Sequence, residues 1–194
     1  MLVPRFYEDL NVMHHKTMPA RTYYIPASVR MNDLVEHRER SDRFQLLNGE
    51  WKFQYYNSIY DVTESFYEKG YDVSGFDQVT VPGVWQMDGY DTHQYTNIRY
   101  PFPFDPPYVP QDIPCGAYVH NFEYHREKKA PKAFLNFEGV DSCFYVWVNG
   151  AYAGYSQVPH ATSEFDVTDL LNEGENTLAV LVLKWCDGSY LEDQ

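Results

Sequence analysis

The stretch "CFYVWVNGAYAGYSQ", Cys143 to Gln157, decides the fold. Its first half alternates strictly, placing Phe144, Val146 and Val148 on one face of a strand and Tyr145 and Trp147 on the other. Asn149-Gly150 then supplies the pair of residues that a two-residue type I′ hairpin needs, because both central positions must take positive φ. The second half returns as another aromatic strand. Working outward, "RFQLLNGEWKFQYY", "FDQVTVPGVWQ", "GAYVHNFEYHR", "KAFLNFEGV" and "NTLAVLVLKW" are likewise short, β-branched or aromatic, and bounded by Gly, Pro, Asn or Asp. In "NTLAVLVLKW" both faces are apolar, so this strand is expected at the centre of a sheet covered on both sides. Strands without alternating helices predict an antiparallel sandwich or barrel.

Two segments break the pattern. "DVTESFYEKGYD" (residues 61–72) has Asp61 three residues before Glu64, a capping-box variant, and Gly70 at a stop position, which predicts a helix. "RYPFPFDPPYVPQDIP" (residues 99–114) holds six of the twelve prolines. Proline gives no ladder donor, so this is a stiff loop rather than a central strand. Residues 1–40 show no sustained period, apart from a short helix expected in "MNDLVEHRER" (residues 31–40), and read as an irregular arm that lies on something else, ahead of a body of residues 41–194.

The 194 residues, 44% apolar with 18 Tyr, 12 Phe and 4 Trp, describe a globular chain with one sizeable core. A formal charge of −13 disfavours nucleic acid and anionic membranes as partners. The longest strongly apolar run, Leu178 to Leu183, is far below the roughly 20 residues of a spanning helix. Arg5, Glu8 and Asp9 interrupt any leader-like apolar run near the start. Cys115, Cys143 and Cys186 lack metal or redox spacing and read as free thiols of a cytoplasmic protein.

Motifs for nucleophilic, metallohydrolase, P-loop or dinucleotide chemistry are absent from the sequence. His120 and His125, five apart on a strand, face opposite ways and are not expected to share a metal. Asp187, Glu192 and Asp193 follow an apolar strand and so stand at a sheet rim, where a loop can present carboxylates to a ligand. A solvated acidic turn gives the same pattern. The aromatic count suits stacking on a pyranose ring, with Asn or Asp at loop ends for its hydroxyls, although core aromatics produce the same count.

Four segments in order carry a resemblance: "LNGEWKF" (47–53), "VPGVWQMDGYDTHQYTNIRYPFPFDPPYVP" (81–110), "FEGVDSCFYVWVNGAYAGYSQ" (137–157) with "SEFDVTDLL", and "KWCDGSYLEDQ" (184–194). Together they resemble the N-terminal sugar-binding domain of large family 2 glycoside hydrolases, specifically the cytoplasmic β-galactosidases of bacteria. The resemblance covers about residues 41–194 and implies a jelly-roll β-sandwich of the galactose-binding type. It further implies a fragment of a multidomain enzyme that hydrolyses terminal β-D-galactosides such as lactose by retaining double displacement. The two catalytic Glu residues would lie in a barrel domain, and none in these residues, so the fragment alone is expected to be inactive.

Two positions follow from the same resemblance. Asn97, in "YTNIRYP", matches the residue that binds the galactosyl unit, and Asp187, in "KWCDGS", matches one that contacts the sugar and holds a sodium ion. Magnesium is expected in the parent enzyme with no ligand assigned here. The parent is also expected to be a homo-oligomer. Two rival readings are an independent carbohydrate-binding module without catalysis and a scaffold that only docks neighbouring domains.

Overall fold

The structure, a computed structural model, describes residues 2–93 and 99–191. Nine strands run in chain order as β1 (His14–His15), β2 (Gly49–Tyr56), β3 (Asp77–Val81), β4 (Cys115–Tyr124), β5 (Phe134–Phe137), β6 (Cys143–Val148), β7 (Ala151–Gln157), β8 (Ser163–Asp166) and β9 (Gly174–Leu183). Seven form one antiparallel sheet in the order β1-β7-β6-β9-β4-β2-β3, and β5 pairs with β8 as a second, smaller sheet. The fold is the all-β sandwich expected. β9 is the middle strand of the seven, as its two-sided apolar pattern requires.

The β6–β7 hairpin turns on Asn149 (φ 52°) and Gly150 (φ 82°), both in the left-handed region that a type I′ turn demands. The Asn149 amide also donates to Leu170 O at 2.8 Å and Asn176 Oδ1 at 2.7 Å, while its Oδ1 accepts from Thr177 N–H. The hairpin is thereby fastened to the start of β9. Between Val146 and Trp147 the register slips by one residue on β7, so that Trp147 pairs with Tyr152 while Val146 pairs with Gly154. This bulge lets Tyr152 and Tyr155, three apart, face the same side.

The sheet has two cores. Phe144, Val146, Val148, Leu178, Val180 and Val182 point to one side, where Phe165 and Val167 around β8 pack against them and Trp51 of β2 and Trp85 extend the same core. Tyr145, Trp147, Tyr155, Leu181 and Leu183 point to the other. No regular sheet covers that second side among the described residues. Irregular chain does so instead: Val3 and Tyr7 from the arm, Ile59, Val62 and Phe66 after β2, and Phe102, Val109 and Ile113 from the proline loop. The Tyr145 hydroxyl donates to Pro4 O at 2.6 Å, and β1 adds to the edge of β7. The arm therefore lies on the sandwich.

Neither expected helix forms. Residues 61–72 contain only the end of a 3-10 turn, Ile59–Asp61, followed by bends. Trp147 explains why: Tyr67 stacks on its ring at 4.5 Å and 3°, while the adjacent Phe66 meets it edge-on at 5.9 Å. Consecutive residues of a helix point about 100° apart and would not share one ring. Glu64, the expected capping partner, instead accepts from the Tyr71 hydroxyl. In residues 31–40 only Arg38–Arg40 forms a 3-10 turn. Val35 is 88% exposed there, so a helix would have no apolar face to bury.

Candidate functional site

β9 ends at Leu183, and the chain then makes a tight turn that leads into a 3-10 segment, Asp187–Leu191. Serines hold this turn. Ser142 Oγ donates to Lys184 O, Cys186 N–H donates to Ser189 Oγ, and Ser189 N–H returns to Cys186 O at 2.9 Å. Asp187 is thus fixed at the sheet rim, where the strand pattern placed it, yet it is only 7% exposed. Its Oδ1 accepts the Gly188 N–H at 3.1 Å. Burial pushes the Asp187 carboxyl above the ordinary carboxylate range. Hydrogen bonds from Gln157 and the Gly188 N–H oppose that rise, and the negative charge of Asp9 adds to it.

Gly188 lets Gln157 come close to the turn. A Cβ there would lie 2.7 Å from Gln157 Oε1 and 3.3 Å from Cys186 Sγ. Gln157 in turn donates through Nε2 to Val12 O at 3.2 Å. The end of β7, the turn after β9 and arm residues 9–12 therefore meet at one place.

The proline loop closes on the same turn. Tyr190 is ringed by Tyr100, Phe102 and Phe104 with centroids 5.3 to 5.6 Å away. Its hydroxyl sits between the carbonyls of Pro103 and Tyr108 and accepts Asp105 N–H at 3.2 Å. Tyr100 OH donates to Tyr190 O at 2.9 Å. From the other direction, Asp91 pairs with Lys184. Prolines fix the loop's φ angles, and the aromatics between them supply the contacts, so the loop is stiff and ordered around its anchor.

Of the residues picked from sequence, Asp187 stands at this junction. Asn97, Glu192 and Asp193 lie outside the described residues. His120 stacks on Trp51 at 4.8 Å, and His125, beyond the end of β4, pairs with Glu173. All three cysteines are free and buried. Asp9, Gln157, Asp91 and Lys184 were not singled out from sequence, since their partners are distant in the chain and only the fold brings them together.

Residues 44–194 match the model of the glycosyl hydrolases family 2 sugar binding domain. The chain belongs to this family. A β-galactosidase of Actinobacillus pleuropneumoniae is 48% identical over all of this chain, and one of Staphylococcus xylosus is 46% identical over the same span. This family 2 chain covers only 19% of the length of each relative. Among solved structures, a Lactobacillus rhamnosus β-glucuronidase superposes with TM-score 0.54 at 20% identity, covering 72% of this chain and 21% of its own. A Ruminococcus gnavus β-glucuronidase gives 0.53 at 17% over the same shares. At those identities the two structures share the fold of the family's sugar-binding domain.

Proposed function

We propose that this chain is the N-terminal sugar-binding domain of a β-galactosidase that hydrolyses terminal β-D-galactosides such as lactose by retaining double displacement. The observation that carries the reading is the 46–48% identity, over the whole chain, to proteins named β-galactosidase. In this reading the acid/base and nucleophile carboxylates belong to a barrel domain outside these residues, and the present residues form part of the galactose pocket wall. Such a wall contributes by orienting the sugar, so that binding energy is spent at the reacting carbon.

Asn97 is the proposed sugar contact, its amide able both to donate to and accept from hydroxyls. For Asp187 the burial supports the cation role. A carboxylate held at 7% exposure beside a second acid, Asp9, is a hard-oxygen environment whose repulsion a bound cation relieves. Direct sugar contact by Asp187, which the resemblance also implies, requires the residues around it to open. Sodium, with further ligands from the barrel, is the ion proposed. When bound there it supplies charge neutralisation. Magnesium, also proposed for the parent enzyme, is assigned no ligand among these residues.

Exposed Tyr100, Phe104 and Tyr108 on the proline loop support a surface that meets the rest of a longer enzyme. No helix among the described residues is long and apolar enough to cross a membrane. A cytoplasmic homo-oligomer completes the proposal. The test is substrate preference of the full-length enzyme: kcat/KM for an aryl β-galactoside is expected to exceed that for the matching β-glucuronide by more than about 100-fold. Equal or reversed preference would overturn the assignment.

A further inference from the structure

Both partners of the Asp91–Lys184 ion pair are enclosed, with side chains 12% and 14% exposed. Asp91 is fully engaged. Its Oδ2 also accepts from Gln86 Nε2 at 3.1 Å and its Oδ1 from Thr92 N–H at 2.8 Å, while Tyr90 N–H closes the same loop on Trp85 O at 3.0 Å. Lys184 is held just as closely: its N–H donates to Pro114 O, its carbonyl accepts from Ser142, and its ammonium lies 5.0 Å from the Trp185 ring centroid. Ninety-three residues separate the two in sequence.

Enclosed ion pairs commonly add little net stability over apolar groups of the same shape, because both ions must be stripped of water. Their clearer use is directional, since only one register satisfies every hydrogen bond. Here the pair joins the 82–93 loop at Asp91 to the exit of β9 at Lys184, three residues before Asp187. Tyr100 is tied to Tyr190 on the other side of the same turn.

We infer that Asp91 and Lys184 are positioning residues for Asp187 in the galactoside subsite, setting the register of the 82–93 loop against the turn that carries it. The inference rests on the proposed role of Asp187.

The test uses the full-length enzyme with Lys184→Met, Lys184→Arg and the apolar double variant Lys184→Met/Asp91→Leu. Steady-state kinetics on an aryl β-galactoside, thermal midpoints and hydrogen exchange of residues 84–92 are measured for each. Lys184→Met is expected to raise KM at least about fivefold with kcat within about twofold, and Lys184→Arg to recover most of that loss. The double variant, which buries no lone charge, is expected to regain the thermal midpoint but not KM. Recovery of KM together with stability in the double variant, or an unchanged KM in Lys184→Met, would overturn the inference. Asp187→Ala serves as the control: if it leaves KM unchanged, the underlying site reading has failed. The exchange data still decide the clamp, with at least about tenfold faster exchange of 84–92 in the double variant supporting it and unchanged exchange refuting it.

Discussion

Gly154 sits on β7 where three elements converge, and Gly154→Ala should be costly despite adding one methyl. The new Cβ would meet Phe165 Cε1 at 2.5 Å, His15 O at 2.6 Å and Phe165 Cδ1 at 2.7 Å, all inside the 3.4 Å at which ordinary contact begins. Phe165 has nowhere to go. It is fully buried and flanked by Phe137 and Phe144, each 6.0 Å away between centroids. Overpacking of this kind costs about 1–3 kcal/mol. The other obstacle is backbone, and moving His15 aside breaks the short β1–β7 ladder at His14 and His15, about 0.5–1.5 kcal/mol for each bond lost. With two such bonds lost the sum is about 2–6 kcal/mol, a sizeable share of the 5–15 kcal/mol typical of a folded domain. Urea unfolding should show a lower midpoint at unchanged m, with faster hydrogen exchange at residues 155–157. A loss below about 0.5 kcal/mol would refute the packing argument.

Asn149→Gly should keep the turn's positive φ but lose the amide bonds to Leu170, Asn176 and Thr177, costing about 1–3 kcal/mol by denaturation, and Asn149→Ala should cost more because it adds backbone strain. Asp166 is held down to about 2 by Lys132 and then by Thr168, so its contribution to stability is present above the unfolded carboxylate pKa of about 4 and is lost as pH falls toward about 2; Asp166→Asn should flatten that part of an acid-unfolding profile. Burial pushes Cys115 up to about 12 and holds Cys143 well above the ordinary thiol range, so a thiol reagent at neutral pH should label neither until urea unfolds the chain. A sodium titration should raise the thermal midpoint of the wild-type enzyme and leave Asp187→Asn unmoved.

The sheet was legible because strands written as "CFYVWV" or "NTLAVLVL" state their faces residue by residue, and Asn149-Gly150 states the turn. The covering of the second face was not legible. Val3, Tyr7, Val62 and Phe66 reach it from irregular chain, where neither period 2 nor 3.6 operates, and the same lack of period left a capping-box variant at Asp61 to suggest a helix that Trp147 prevents. At the site, the carboxylate of Asp187 could be placed at a strand end from the pattern alone. Its burial could not, because Asp9 and Gln157 reach it only through docking of the arm and the end of β7.

The most direct test of the central claim, that these residues form part of a galactose pocket wall, is the steady-state kinetics of Asn97→Ala in the full-length enzyme on a β-galactoside. The account predicts a kcat/KM at least about tenfold lower at wild-type thermal stability. Wild-type kinetics in that variant would contradict it and leave the sandwich a scaffold.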